Sequence, residues 1–230
     1  MMQNEYADPI DYNTVLNPKL WRNDDLKSEV RGALLRMAED FIKFLEVPVR
    51  VLDIVITGGN VNYTYTKNSD IDLHIIADFS SVECEREVAE LFDSKRLLYK
   101  NKHNLEIYGI PVELYVEDSR IPAKSAGVFS IFRDKWLAQP GKTVPGYSEE
   151  ELEKMIKVWT KILQRAMMTG DLQTCRTAVQ LLRTYRRRGL NSPEGEFSIA
   201  NLVYKSLRND NVIRGITHLI DRLHDQDLNI

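Results

Sequence analysis

Two aspartates separated by one residue are the side chains in this sequence best suited to chemistry. Asp70 and Asp72 lie in a run, 70–75, in which polar and apolar residues alternate. Because successive side chains of a strand point to opposite faces, Asp70, Asp72 and His74 should share one face while the aliphatic residues between them enter the core. Two neighbouring carboxylates repel each other unless a cation lies between them, and oxygen ligands suit Mg²⁺. The run therefore predicts a divalent metal site on a strand.

A glycine pair precedes these aspartates. Val55 and Ile56 are β-branched and are followed shortly by Gly58-Gly59, which predicts a buried strand that ends in a tight turn. Ten residues, 60–69, then lead to the aspartates. We expect this stretch to be a short irregular or helical segment, so that strand, turn and second strand together position the carboxylates.

The segment before the motif should form an arm and then a helix. Asp24 or Asp25 is expected to cap a helix that runs to about Leu45 and stops before Pro48. Its apolar residues have helical spacing and should face the core. The apolar anchors of the arm, 1–23, are Leu16, Leu20 and Trp21, and the residues of the helical stripe are Leu26, Val30, Ala33, Leu34, Met37, Phe41, Phe44 and Leu45.

Further elements follow the motif. The pattern predicts a helix from about Val82 to Lys95, a turn at 109–111 and a loop-rich stretch over 118–145. Short strands are expected at 97–99, 105–108 and 112–116. Helical patterns then cover 149–168, 172–188, 198–209 and 212–225. We predict two domains: a catalytic domain over 1–145, with the arm and first helix, and a helical domain over 146–230.

Composition sets broad limits. The 230 residues are 43% hydrophobic and 28% charged, which is typical of a globular protein that buries a core. No apolar run approaches the ~20 residues that span a bilayer, and the first residues do not resemble a signal peptide. Only Cys84 and Cys175 occur, so a disulfide framework or zinc site is not expected. We therefore expect no membrane partner and a location in a reducing cytoplasm.

Charge is unevenly distributed along the chain. Residues 1–150 carry 18 basic and 25 acidic side chains, whereas 151–230 carry 13 and 9. A basic C-terminal part beside an acidic metal site would suit an anionic substrate. An uneven distribution without a functional role is almost as common.

The motif resembles the nucleotidyltransferase superfamily typified by DNA polymerase β. Its signature is a Gly-Gly or Gly-Ser turn, a gap of about ten residues, an Asp-x-Asp strand and a third carboxylate on a later strand. The matching parts are Gly58-Gly59, Asp70-Ile71-Asp72-Leu73 and Val112-Glu113-Leu114. The resemblance implies an α+β fold, in which a small mixed sheet with helices is followed by a C-terminal helical bundle.

A narrower resemblance is to nucleotidyltransferase-domain proteins encoded by bacteriophages, which would place the protein in a bacterial host cell. The chain departs from many members at Gly59, where they have a serine whose hydroxyl helps to hold a phosphate. The matching pieces are Leu16-Asn17-Pro18-Lys19-Leu20-Trp21, Ser69-Asp70-Ile71-Asp72-Leu73-His74, Val112-Glu113-Leu114-Tyr115-Val116, and Gly195-Glu196-Phe197-Ser198 followed by Lys205.

The superfamily resemblance implies a two-metal mechanism. Asp70, Asp72 and Glu113 would be the metal ligands and catalytic residues, with two Mg²⁺ ions, or Mn²⁺ in their place. An NTP, with ATP among the candidates, would transfer its NMP to a hydroxyl and release pyrophosphate. Glu113 is also a candidate acceptor for the hydroxyl proton. Because glycine has no Cβ atom, the amides of Gly58 and Gly59 can approach phosphate oxygens closely.

Other residues are candidates for nucleotide binding. Lys67 and Ser69 immediately precede the aspartates, and Lys205 and Arg208 resemble the basic residues that hold a triphosphate in related enzymes. Each lysine or arginine could equally be solvated. His74 could support the site through a hydrogen bond, although a structural histidine is the more common case. A cluster of arginines could contact nucleic acid or could equally complement the end of a helix: Arg183, Arg186, Arg187 and Arg188. Tyr63 and Tyr65 could stack on a base or could equally pack in the core.

Three functions remain open from the sequence. The first is transfer of NMP to an RNA 3′ end, such as a tRNA-like end. The second is nucleotidylation of a protein or of a small molecule such as an antibiotic. The third is a non-catalytic module that binds nucleotide or RNA, which the presence of three carboxylates argues against.

Overall fold

The computed structural model of the chain describes residues 13–80, 84–121, 125–141 and 147–229. The chain divides into two units, whose described parts are 13–141 and 147–229. The predicted domain boundary at 145/146 lies outside the described residues, as do positions 1–12 of the predicted arm.

The described part of the arm packs into the first unit through its apolar anchors. Leu16, Leu20 and Trp21 are buried, as predicted. The Trp21 ring stacks on Trp136 at 4.8 Å between centroids and meets Phe129 edge-on at 5.2 Å. Aromatic pairs at these distances stabilise a core beyond the area they bury. The arm is therefore part of the core of the first unit.

The first helix begins later than predicted. Strand β1 (Trp21–Arg22) pairs antiparallel with β2 (Asp25–Leu26), and Asn23 between them has a φ of 57°. Helix α1 (Ser28–Leu45) starts only after this hairpin. The prediction that Asp24 or Asp25 caps the helix is wrong, because the short pairing keeps these residues out of the helix. The predicted apolar stripe is confirmed, with Val30, Leu34, Phe41 and Leu45 among its buried residues.

A mixed six-stranded sheet carries the motif. Strand β3 (Arg50–Thr57) pairs antiparallel with β4 (Ile71–Asp78), and buried residues of β4 alternate with half-buried ones, which include Asp72 and His74 as predicted. The other strands are β5 (Glu106–Ile107), β6 (Ile110–Asp118), β7 (Val128–Ser130) and β8 (Lys135–Ala138). Their order is β5-β6-β4-β3-β7-β8, and β4 pairs with β6 in parallel.

The helix after the motif is longer than predicted. Helix α2 (Glu85–Lys102) includes residues 97–99, which were predicted as a strand. That prediction is wrong because Phe92 and Tyr99, two turns apart, are buried, whereas Leu97 and Leu98 are exposed. The predicted start at Val82 lies outside the described residues.

The turn before β6 is shorter than predicted. Tyr108 and Gly109 have φ values of 52° and 75° and close the hairpin, so Ile110 already pairs with Ile107. Pro111 therefore belongs to β6, and the prediction of a turn over 109–111 is wrong at its end.

Two strands occur where a loop-rich stretch was predicted. In β7 all three residues are buried, so no polar alternation marks the strand in the sequence. Phe129 and Trp136 pair across β7 and β8, with ring centroids 5.2 Å apart. These contacts extend the sheet beyond β3.

The second unit is helical, and its four predicted α-helices are confirmed to within three residues at each end. They are α3 (Glu149–Thr169), α4 (Leu172–Leu190), α5 (Ile199–Asn209) and α6 (Val212–Leu228). A 3₁₀ turn, Gly195–Phe197, precedes α5. The α+β class, a mixed sheet with helices followed by a helical unit, is confirmed. Among the described residues no helix combines the length and apolarity needed to cross a membrane.

Candidate active site

The structure brings three carboxylates together at one end of the sheet. Asp70 immediately precedes β4, Asp72 lies on β4, and Glu113 lies on β6. The parallel pairing of these strands sets Asp72 opposite Glu113. One oxygen of each carboxylate lies within 4.8 Å of the others, and all three residues are half-buried. The structure therefore places Glu113 on the same face as the aspartates.

These three residues fit a divalent cation. Carboxylate oxygens are hard ligands, and two ligands on opposite sides of an Mg²⁺ ion lie about 4.2 Å apart. The oxygen separations of the triad, up to 4.8 Å, are close to that value. Three neighbouring anions also repel each other without a cation. The donor set is thus the one that the sequence predicted for a metal centre.

Glu113 is held by two hydrogen-bond donors. The Lys100 ammonium donates to its Oε1, and the Tyr115 hydroxyl donates to its Oε2 at 2.7 Å. Burial raises the pKa of Glu113, but these hydrogen bonds and the charges of Lys100 and Arg96 outweigh it, so the pKa is lowered overall. Burial and the bond to Glu113 raise the pKa of Tyr115, which keeps its hydroxyl a donor. Glu113 is therefore presented as a carboxylate with a fixed orientation.

Stacking supports the Tyr115 ring. His74 stacks on it at 4.8 Å between centroids, and the Arg96 guanidinium lies 4.9 Å from its centroid. His74 Nε2 is 3.0 Å from Thr57 Oγ1. Its Nδ1 is 3.1 Å from Glu117 Oε1, although not aligned as a hydrogen bond. His74 lowers the pKa of the Glu117 carboxyl against the opposing effect of burial. His74 thus acts as a structural support beneath the site.

Gly58 lies directly against Asp72. Its φ of 82° and ψ of −162° are values that side-chain-bearing residues rarely adopt. A Cβ atom at this position would lie 2.2 Å from Asp72 Oδ2. The Gly58 N–H donates to Ser125 Oγ at 3.3 Å. Only glycine fits between the turn and the aspartate.

Gly59 begins a 3₁₀ turn, Gly59–Val61, and lies beside a second hydroxyl. A Cβ atom at Gly59 would lie 3.3 Å from Ser69 Oγ. Ser69 is buried, and its Oγ accepts a hydrogen bond from the Thr66 N–H at 2.9 Å. The structure thus brings Ser69 to the glycine turn. Its role in nucleotide binding stays a prediction.

Asn60 is a positioning residue that sequence reasoning missed. It is buried, and its Nδ2 donates to the Asp70 carbonyl at 2.7 Å. Its Oδ1 accepts from Asn17 Nδ2, and its carbonyl accepts from Trp21 Nε1, both at 2.8 Å. These bonds tie the arm to the start of the aspartate strand. Its position directly after the glycine pair was the only signal in the sequence.

The remaining candidates in the first unit are Lys67, Tyr63 and Tyr65. Lys67 is exposed in the loop before β4, and its phosphate role stays a prediction. Tyr63 is only 6% exposed and packs in the core, which favours the packing interpretation over base stacking. Tyr65 is half-buried, and burial raises its pKa.

The basic candidates of the second unit lie on α4 and α5. Lys205 and Arg208 are half-buried on α5, and their role as triphosphate ligands stays a prediction. Arg186 donates to Asn201 Oδ1 at 3.0 Å and stacks on Tyr204, so this arginine supports the helical unit itself. The exposed members of the cluster are Arg183, Arg187 and Arg188.

Comparison with known proteins gives a family match. The family described as nucleotidyltransferase domain matches residues 35–169, which is more than half of the chain and includes all three carboxylates. The chain is similar in structure to a STING-associated CdnE c-di-GMP synthase from Capnocytophaga granulosa, at 15% sequence identity and a TM-score of 0.24. That alignment covers 88% of this chain and 67% of the synthase. No curated protein matches the sequence.

Proposed function

Because the chain belongs to the nucleotidyltransferase domain family and is a nucleotidyltransferase, we propose that it transfers NMP from an NTP to the 3′ hydroxyl of an RNA and releases pyrophosphate. The observation that carries this proposal is the convergence of Asp70, Asp72 and Glu113, with one oxygen of each within 4.8 Å of the others. This arrangement serves a reaction that develops negative charge on a phosphoryl group.

The triad would hold the divalent ions of the reaction, Mg²⁺ or Mn²⁺. Such ions, when bound, lower the pKa of an attacking hydroxyl and stabilise charge at the α-phosphorus. Within the chain, Lys100 and Tyr115 orient the Glu113 carboxylate, and Asn60 fixes the backbone at Asp70. Glu113 is also the candidate acceptor for the hydroxyl proton, because that role depends first on reach to the nucleophile.

The glycine turn supplies the phosphate side of the site. Gly58 leaves no side chain between the turn and Asp72, so phosphate oxygens can approach the backbone there. Ser69 Oγ, beside Gly59, offers a hydroxyl close to the position where related proteins carry a serine. We assign Gly58, Gly59 and Ser69 to binding of the triphosphate, with Lys67 next to them in sequence.

The acceptor is proposed from charge. The second unit carries exposed arginines, and residues 151–230 hold 13 basic against 9 acidic side chains, which suits a polyanion such as a tRNA-like 3′ end. The resemblance to phage-encoded proteins would put this RNA in the cytoplasm of a bacterial host. A protein or a small molecule is the alternative acceptor.

Labelling separates these acceptors. The protein would be incubated with each α-labelled NTP, Mg²⁺ and either total RNA or RNA-depleted lysate. We expect label in RNA for wild type and none for Asp72→Asn. Asp78→Asn is the matched control, because Asp78 lies at the opposite end of β4 and pairs with Arg50. Label in protein or small molecules would reject the RNA acceptor, and equal labelling by Asp72→Asn would reject the site.

Metal dependence and triphosphate contact are tested by calorimetry. NTP affinity should rise when Mg²⁺ or Mn²⁺ is added to wild type, and this gain should vanish in Asp70→Ala. If Lys205 and Arg208 hold the triphosphate, Lys205→Ala should weaken NTP binding far more than NMP binding. Equal losses of affinity for NTP and NMP would mean that Lys205 does not contact the triphosphate and is a solvated surface residue.

A further inference from the structure

Two cations lie beside the active-site carboxylates on the side away from the glycine turn. The turn follows β3, the aspartates lie at β4 and Glu113 lies on β6, which is the order of these strands in the sheet. Helix α2 packs against β6 and carries Arg96 and Lys100 next to Glu113. A triphosphate held at the glycine turn would therefore lie across the carboxylates from these cations.

Arg96 and Lys100 form a pair on one face of α2. They are four residues apart, so their side chains lie one turn apart on the same face. Lys100 reaches Glu113 Oε1, and its side chain is 56% exposed, so it is open to a ligand as well. The Arg96 guanidinium lies over the Tyr115 ring, whose hydroxyl also bonds Glu113, and its Nε is 3.4 Å from Asp93 Oδ1 on the same helix. Lys100 thus contacts Glu113 directly, and Arg96 contacts it through the Tyr115 ring.

The positive charges of Lys100 and Arg96 indicate an anionic ligand. A divalent ion held by Glu113 would compete with the Lys100 ammonium for the carboxylate oxygens. A half-exposed ammonium and a nearby guanidinium then favour another anion, and phosphate suits both. On the β6 side of the carboxylates we assign this anion to the acceptor, since the triphosphate site proposed above lies on the β3 side.

We propose that Lys100 and Arg96 bind a phosphate of the acceptor, one that lies next to the attacking hydroxyl. This inference rests on the proposed function and narrows the acceptor to phosphate-bearing hydroxyl compounds. The terminal phosphodiester of an RNA and the 5′-phosphate of a nucleotide share this chemistry. Uncharged or cationic small molecules lack it.

Binding of RNA measures the contact without turnover. A fluorescent RNA oligonucleotide with a free 3′ hydroxyl would be titrated with each protein in Mg²⁺, without NTP, and followed by anisotropy. Lys100→Met should weaken binding about tenfold, the effect of losing one charge-assisted contact. It should also lower the slope of log K against log salt by about 0.7, since one fewer phosphate is neutralised. Lys102→Met, on the exposed last turn of the same helix, is the matched control and should change neither quantity.

Chemical variants of the RNA identify which phosphate is bound. An oligonucleotide whose last linkage is a neutral methylphosphonate should bind wild type about tenfold more weakly, and should bind wild type and Lys100→Met equally. A nucleoside 5′-phosphate that competes with the RNA in wild type but not in Lys100→Met would assign the site to a nucleotide acceptor. If the methylphosphonate weakened RNA binding by the same factor in Lys100→Met as in wild type, the contact would be overturned.

The variant Glu113→Gln distinguishes a direct contact between Lys100 and RNA from a purely structural role of Lys100. If Lys100 only holds Glu113, Lys100→Met should have no effect on RNA binding in the Glu113→Gln protein. The proposed contact predicts that the tenfold loss and the change in salt slope persist there. Loss of NTP affinity by the same factor as RNA affinity would instead assign Lys100 to the triphosphate and overturn the proposal.

The outcome for this site is distinguishable from the outcome for the proposed function. RNA binding that depends on Lys100, with no labelled product from any acceptor, would reject the transfer reaction and retain the phosphate site. Labelled RNA with identical binding by wild type, Lys100→Met and Lys102→Met would reject the site and retain the reaction. Absence of RNA and nucleotide binding by wild type would also reject the site.

Discussion

Substitution of Gly58 by alanine tests how the turn and the carboxylates depend on each other. The new Cβ atom would lie 2.2 Å from Asp72 Oδ2, whereas ordinary contacts are 3.4 Å or longer. The oxygen would have to retreat by about 1.2 Å. A displacement of about 1 Å at a reacting centre can lower the rate about 100-fold. We therefore expect Gly58→Ala to lose about 100-fold in NMP transfer and to bind Mn²⁺ more weakly.

Strain adds to this collision. The backbone at Gly58, with φ of 82° and ψ of −162°, lies in a region that is essentially restricted to glycine. An alanine forced into it costs about 1–3 kcal/mol of folding free energy. Urea unfolding of Gly58→Ala should show a free energy of unfolding that is lower by this amount. The decrease should be smaller if the turn relaxes and thereby moves the Asp72 carboxylate further.

Two other glycines separate collision from strain. Gly59→Ala would meet its nearest atom, Ser69 Oγ, at 3.3 Å and has no left-handed φ, so only a small effect on rate is expected. Gly109→Ala has a φ of 75° and no atom within 4 Å of its Cβ, so it should lower stability without changing metal affinity. The three variants would be compared by Mn²⁺ titration, transfer rate and urea unfolding. Metal affinity and rate in Gly58→Ala equal to those of Gly59→Ala would refute the reasoning.

Four further substitutions test other contacts. Tyr115→Phe removes the hydroxyl that donates to Glu113, so kcat should fall about tenfold while the KM for NTP stays unchanged. Gly189→Ala would place a Cβ atom 2.4 Å from the serine hydroxyl that caps α5, and urea unfolding should show a loss of about 1–3 kcal/mol. Gly215→Ala, whose Cβ would meet nothing nearer than 4.0 Å, should instead gain up to about 1 kcal/mol. Asn60→Ala leaves buried partners unpaired and should cost about 1–3 kcal/mol in urea unfolding, with a lower transfer rate.

Each of these expectations has a contrary result. A Tyr115→Phe protein with wild-type kcat would show that Glu113 needs no orienting hydroxyl. Equal unfolding free energies for Gly189→Ala and Gly215→Ala would contradict the close approach of α4 and α5. An Asn60→Ala protein with full stability and rate would mean that the arm does not position the aspartate strand.

The aspartate strand could be predicted because its alternation of apolar and polar residues matches the alternation of buried and half-buried positions along the strand. Alternating apolar residues define one face of β4, and a one-residue change in register would expose all of them. The C-terminal helices were predictable for the same reason, since their apolar spacing and their capping residues agree with each other. Local pattern and local structure coincide in these elements.

Elements that depend on distant contacts could not be predicted from local pattern. Leu97, Leu98 and Tyr99 suit a strand or a helix, and only the burial of Tyr99 against α1 and its neighbours selects the helix. The strand β7 is buried on both faces, which removes the alternation that would mark it. The role of Asn60 depends on bonds to residues 43 positions earlier and 10 positions later.

The connection between the aspartate strand and β6 accounts for the cations at Glu113. Parallel strands cannot be joined by a tight turn and need a crossover of a dozen or more residues, usually a helix. Helix α2 and the short strand β5 make up that crossover, and α2 packs against β6. Side chains on its inner face are therefore delivered to β6, where Lys100 meets Glu113. The connection that sets the third carboxylate opposite Asp72 thus also supplies the positive charge beside it, so changes in the length of α2 should alter metal and acceptor binding together.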